Sequence, residues 1–318
     1  MGTRWKRSAA LLVGIGTACS AAADIPCDKN HYILGYPCAT DAPPGLPAAE
    51  VALEQPIGKV TAVASDRQGN VYLSSPHVVF KLDPNGGLTR IAGGPAPGYS
   101  GDGGPAFAAQ LYIPYDDYPE AIQFLDGPLY PGLAVDGSGN LYIADAHNNR
   151  VRMVGGSGAI TTIVGPGDAP SGLHAPSHIS FPQGIAVDGG GNLYVSNGMM
   201  FKRTTHGSLT TLDFGDFDTG TFGYVAPGPI ALDASGNVFA AYGCRVRKLG
   251  IDGTVDMVAG VGPPPNVSYD GSCGYSGDGG PAATAQISWA SGVAVDGVGN
   301  LYIADTTNNC VARWTRPA

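Results

Sequence analysis

The sequence is poor in the residues and motifs that usually announce catalysis. It contains no G-x-S-x-G, no H-E-x-x-H and no phosphate-cradling P-loop. Six histidines are all that 318 residues offer. None of the six cysteines sits in a C-x-x-C pair, which excludes a metal knuckle or thioredoxin-like redox motif of that kind. After residue 23 no segment is long and apolar enough to cross a membrane as a helix. Positive charge is scarce too: 17 Lys and Arg against 26 Asp and Glu leave a net charge of −9. An acidic surface repels phosphate backbones, so nucleic acid is not an expected partner.

What the chain has in abundance is turn residues, 49 Gly and 26 Pro. Such a bias can signal disorder. Here 43% of the residues are hydrophobic, and short apolar runs recur between the Gly-rich turns, the pattern of many short strands. The first 23 residues read as an export signal. Arg4, Lys6 and Arg7 precede the apolar "AALLVGIGTA", and Ala21 and Ala23 form an A-x-A cleavage site. Lipid attachment at Cys19 is the competing reading, disfavoured by Gly16 where such signals want a larger aliphatic residue. A secreted or periplasmic chain beginning at Asp24, with no membrane insertion, is therefore expected. It retains Cys27, Cys38, Cys244, Cys273 and Cys310, and an oxidising compartment makes disulfides plausible.

One motif occurs five times: an apolar strand, an Asp, a Gly-Asn turn and a second apolar strand. The copies are "TAVASDRQGNVYLSS", "GLAVDGSGNLYIAD", "GIAVDGGGNLYVSN", "PIALDASGNVFAAY" and "GVAVDGVGNLYIAD". Their aspartates are Asp66, Asp136, Asp188, Asp233 and Asp296, unevenly spaced, so a common core carries insertions. Runs such as "NNRVRMV" and "CRVRKL" supply a third strand; "AITTIVG" and "TVDMVAG" supply a fourth. Each unit is thus a four-stranded antiparallel meander. Stacking such sheets radially buries both faces, which predicts an all-β fold, a β-propeller. Five blades are counted. A sixth stays open, because the insert from Gly94 to Tyr130 has room for extra strands.

"GLAVDGSGNLYIADAHNNRVRMV" and "GVAVDGVGNLYIADTTNNCVARW" resemble the NHL-repeat family, and the likeness runs over residues 24–318 as a single domain. The resemblance implies a propeller, often with six blades. Some related propellers are metal-dependent lyases or hydrolases that gather histidines from several blades around the axis. The first strands here, "GLAVD", "GIAVD", "PIALD" and "GVAVD", carry no inward histidine, which speaks against that chemistry.

The chain stops after the third strand of its last unit. "HYILGY" (His31 to Tyr36) is placed to complete that sheet and remove an exposed edge. Cys38 and Cys310 would then approach one another. Cys244–Cys273 is the natural second pair, with Cys27 left over; a local Cys27–Cys38 bond is the alternative.

The nonapeptide "GYSGDGGPA" occurs verbatim at Gly98 to Ala106 and at Gly274 to Ala282. It lacks the Lys-Ser/Thr ending of a phosphate loop and the alternating carboxylates of a calcium loop. It is expected to be a structural connection crossing one face between blades.

The longer loops share one face, the default site for a ligand. Candidates there are His174 and His178, which could hold a metal or move protons; Tyr115, Asp116 and Asp117 in "YDDYPE"; and His147. Asp145, Arg150 and Asp305 are expected to brace their loops. No catalytic residue is assigned and no cofactor is implied, with calcium or zinc left open. The function expected is a monomeric binding module for a protein, peptide or glycan. The alternative is a metal-dependent lyase or lactone hydrolase working at the central channel.

Overall fold

A computed structural model describes residues 60–113, 131–168, 170, 179–197, 199–214, 228–261 and 273–315, together with the backbone strand at 6–7. Five four-stranded antiparallel sheets form a β-propeller. Blade one comprises β2 (Ala62–Ser65), β3 (Val71–Ser75), β4 (Val78–Leu82) and β5 (Leu88–Gly93). Blade two comprises β6 (Leu133–Val135), β7 (Leu141–Asp145), β8 (Arg150–Val154) and β9 (Ile160–Val164). Blade three comprises β10 (Ile185–Val187), β11 (Leu193–Ser196), β12 (Met200–Arg203) and β13 (Leu209–Leu212). Blade four comprises β14 (Ile230–Leu232), β15 (Val238–Tyr242), β16 (Arg245–Leu249) and β17 (Val255–Ala259). Blade five comprises β18 (Ala290–Val295), β19 (Leu301–Asp305), β20 (Cys310–Trp314) and, as its outer strand, β1 (Lys6–Arg7).

The period-2 alternation of each strand divides its side chains between two neighbours. In blade two, Leu133, Leu141 and Ile143 pack toward blade one. Ala134, Tyr142, Ala144 and Val151 pack toward blade three. Similar apolar cores lie between blades three and four and between four and five. Between blade five and blade one the described residues form no such core. Val63 on β2 is 42% exposed there, whereas its counterparts Leu133, Ile185 and Ile230 are buried.

The aspartates that mark the repeat build the turns between first and second strands. Asp136 Oδ1 accepts the amides of Ser138 and Asn140, and Oδ2 accepts Asn140 Nδ2 and the Tyr142 hydroxyl. Gly139 carries φ +83° in the same turn. Every copy repeats the Asp–Asn bonds.

Two expectations are corrected. The strand that completes the last sheet does come from the N-terminal part of the chain, but it is Lys6–Arg7, pairing with Arg313 and Ala312. The edge of β20 selects its partner through backbone hydrogen bonds, so any extended segment in reach can occupy it. His31 to Tyr36 lies outside the described residues, as do Cys27 and Cys38. The second correction concerns the nonapeptide, which does more than cross a face. Its first copy descends into the wedge between blades one and two and hydrogen-bonds the outer strand β9: Gly103 N donates to Ile160 O, and Ile160 N to Gly104 O. Ala106, Ala109 and Leu111, at its end and just beyond, join the core between those blades. The insert that starts at Gly94 forms no named strand over residues 94–113.

Cys244 and Cys273 form a disulfide with their Cα atoms 5.3 Å apart. Cys310 is buried, its thiol directed at Asp305 Oδ2 at 3.8 Å.

Candidate functional site

The loops joining second to third strands lie on the same face as the connections between blades. In blade two this loop is a 3-10 turn, Ala146–Asn148, closed by Asn149 at φ 54°. Asn tolerates that left-handed geometry better than most residues. Asp145, fully buried, accepts the amide of Tyr112 at 2.6 Å and Asn148 Nδ2 at 2.9 Å. Burial pushes its carboxyl above the ordinary value, against the opposing pull of these bonds. Asn148 also donates to Gly98 O at 2.7 Å. The last blade repeats the clamp: Asp305 accepts from Ser288 N and Asn308 Nδ2, and Asn308 donates to Gly274 O. Asp145 and Asp305 thus brace the connections that cross the face. The Arg150 guanidinium lies 3.7 Å from the centre of the Tyr99 ring, a cation–π contact that ties the same connection down.

This clamp positions His147. Its amide donates to Tyr112 O at 3.1 Å. Its ring stacks on Tyr112 with centroids 4.6 Å apart and 21° between planes. On its other side Phe181 meets it edge-on at 5.6 Å. Tyr112 in turn meets His77 edge-on at 5.4 Å. Four rings therefore form a row, His77–Tyr112–His147–Phe181, drawn from blades one and two and the connections that follow them. All four are half-buried. Burial lowers the basicity of both imidazoles, and the proximity of His77 lowers that of His147 further. Both rings therefore favour the neutral imidazole, a form with one nitrogen able to donate and one able to accept. Such a row offers flat apolar faces with polar edges, the chemistry that receives a sugar ring or a planar side chain.

Of the residues singled out from sequence, His147 is in this row. His174, His178, Tyr115, Asp116 and Asp117 lie outside the described residues. Among the described residues no three His, Cys, Asp or Glu side chains converge as a metal site. Sequence reasoning missed His77, Tyr112 and Phe181. A signal existed: His77 occupies in blade one the loop that His147 occupies in blade two. Tyr112 and Phe181 each follow closely on a buried anchor, Leu111 and Ile179.

No family model matches the chain, and no curated protein resembles it in sequence. Solved structures do resemble it in fold. A structural genomics protein of unknown function from Bacteroides thetaiotaomicron superposes with a TM-score of 0.53 at 19% identity, over 82% of this chain and 60% of its own length. The chain thus spans less than two thirds of that protein. A gluconolactonase from Xanthomonas campestris gives 0.48 at 15% identity, over 82% of this chain and 73% of its own. Virginiamycin B lyase from Staphylococcus aureus gives 0.47 at 14% identity, over 83% and 82%. At these identities the likeness is one of fold alone.

Proposed function

We propose that this chain is an exported propeller of the NHL type, with residues 1–23 as signal and 24–318 as one domain, acting as a binding module; removal of the signal takes Lys6–Arg7 away and frees the edge of β20 for another extended segment. The long-loop face presents the row His77–Tyr112–His147–Phe181 to a protein, peptide or glycan ligand. The row is the observation that carries this reading. It places stacked rings and neutral imidazoles on loops whose backbone is clamped by Asp145 and Asn148. Rigid display of that kind lowers the entropic cost of binding. The Cys244–Cys273 disulfide supports an oxidising compartment.

A lyase or lactone hydrolase would need converging metal ligands or an acid–base pair. Neither is found in the row, where Tyr112 separates the two imidazoles. The test is titration of the purified protein against peptidoglycan fragments, chito-oligosaccharides and short peptides. Tyr112→Ala and His147→Ala are each expected to weaken the ligand found by about tenfold. A ligand indifferent to both substitutions would overturn the proposed face. Stoichiometric zinc or calcium in the purified protein, with bond cleavage in the bound ligand, would replace a binding module by an enzyme.

A further inference from the structure

The opposite face, where the short turns lie, has a cleft of about 750 Å³ between blades one and two. That volume is in the range of small-molecule sites. Its walls are apolar: Tyr72, Leu141 and Val154 from the two blades, and Phe107 from the connection. Phe107 is 56% exposed. Two cations stand in the same cleft, Lys81 and Arg90. The Lys81 ammonium lies 6.0 Å from the centre of the Tyr72 ring. Neither cation makes an ion pair among the described residues, although the chain as a whole is acidic.

The second junction that contains the nonapeptide, between blades four and five, shows that this lining is not a by-product of the repeat. The strand registers place Met257 where blade one has Arg90, and Trp314 where blade two has Val154. Ala283 stands after the second nonapeptide where Phe107 stands after the first. The equivalent junction thus loses a cation and the exposed ring, and a Trp side chain replaces a Val at its wall. Identical connecting sequence therefore borders different side chains at the two junctions.

We propose that this cleft binds a small organic anion that carries an apolar ring, such as an aromatic carboxylate or sulfonate. Lys81 and Arg90 would hold the acid group by charge-assisted hydrogen bonds, and Phe107 and Tyr72 would flank the ring. The site is separate from the row on the long-loop face and does not depend on it.

The probe is 8-anilinonaphthalene-1-sulfonate, a fluorescent aromatic sulfonate, with neutral N-phenyl-1-naphthylamine as its uncharged analogue. The folded protein is expected to bind one sulfonate saturably, at least about tenfold tighter than the neutral amine. The Lys81→Ala/Arg90→Ala double variant is expected to lose about tenfold or more for the sulfonate and to leave the neutral amine unchanged. Gly156 lines the cleft, and a side chain there would meet open space. Gly156→Phe is therefore expected to abolish binding while the melting temperature stays within a few degrees. Amide chemical shifts should move at Lys81, Phe107 and Gly156 and stay still at Tyr112 and His147. Absence of saturable binding, equal affinity for the neutral analogue, or binding that survives both the double variant and Gly156→Phe would each overturn the proposal.

Discussion

The two copies of GYSGDGGPA are the same nine residues in two settings. Their inner turns agree. Gly104 N donates to Gly101 O and Gly280 N to Gly277 O, both at 3.0 Å. Gly101 and Gly277 carry φ values of +88° and +92°, and an added Cβ would approach Ala109 or Ala285 within 2.8 Å in each case. Their anchors differ. In the first copy Asp102 receives Nε and Nη2 of Arg152, a fully buried guanidinium that also donates to Gln110 O and Ser100 O. Thr162 adds a further bond to Asp102 at 2.6 Å. At the second copy the register puts Ala312 in the place of Arg152. There the residue just before the nonapeptide is Cys273, bonded to Cys244 of blade four. Local sequence thus sets the loop's shape, while its attachment comes from residues elsewhere: an ionic one in the first case, a covalent one in the second.

That contrast can be broken from either side. The largest effect is expected at Arg152→Ala, which leaves two loop carbonyls without their donor and removes the cation 3.9 Å from the buried Asp145 carboxylate; loss of one partner of a buried pair costs about 3–5 kcal/mol. Urea unfolding would measure it. If the loss were under 1 kcal/mol, the buried guanidinium would not be the anchor. Next comes Cys244→Ala with Cys273→Ala. The bond spans 29 residues, and loop-closure entropy gives it about 3–4 kcal/mol. Hydrogen exchange sharpens the comparison. Under reducing conditions amides of 274–282 should exchange faster, and those of 98–106 should not change. Equal acceleration in both copies would mean that the disulfide supports the whole ring rather than one loop.

The same contrast explains what could be read in advance. The Asp and Gly-Asn turns are local chemistry, so five meanders were legible from five short motifs. Asp145 and Asp305 were legible as braces because each sits three residues before an Asn that can share its work. Arg152 was not, because its partner Asp102 is fifty residues away in sequence and only the bonds of Gly103 and Gly104 to Ile160 of β9, the neighbour of β8, bring them together. The row of rings was hidden for a similar reason. Tyr112 belongs to a connection, and nothing in its own neighbourhood shows that it will lie on His147. The closing strand was legible only as a vacancy. An edge needs extended backbone, and the side chains of "HYILGY" and of Lys6–Arg7 do not decide between them.

The smallest effects are expected in the repeat turns, where blade four differs from the other blades. Tyr72, Tyr142, Tyr194 and Tyr302 each donate to the turn aspartate of their blade. Blade four has Phe239 at that position. Burial alone would raise Asp66, Asp136, Asp188 and Asp296, but bonds from the Asn side chains and the turn amides outweigh it and hold all four below the ordinary value. Their contribution to stability is therefore complete above the ordinary carboxylate value, about 3.9. It is lost as pH falls through the lower folded values. Tyr142 shifts the other way, to about 12, through burial and then the charge of Asp136. Its contribution is complete below about pH 10 and is lost between there and about 12. Tyr142→Phe makes blade two like blade four. It should cost about 1 kcal/mol at pH 7, flatten the alkaline limb of the stability curve and slightly reduce the acid limb, because the Tyr142 hydroxyl is the last of the bonds that hold Asp136 low. An unchanged alkaline limb would show that the hydroxyl adds nothing to a turn its aspartate already holds.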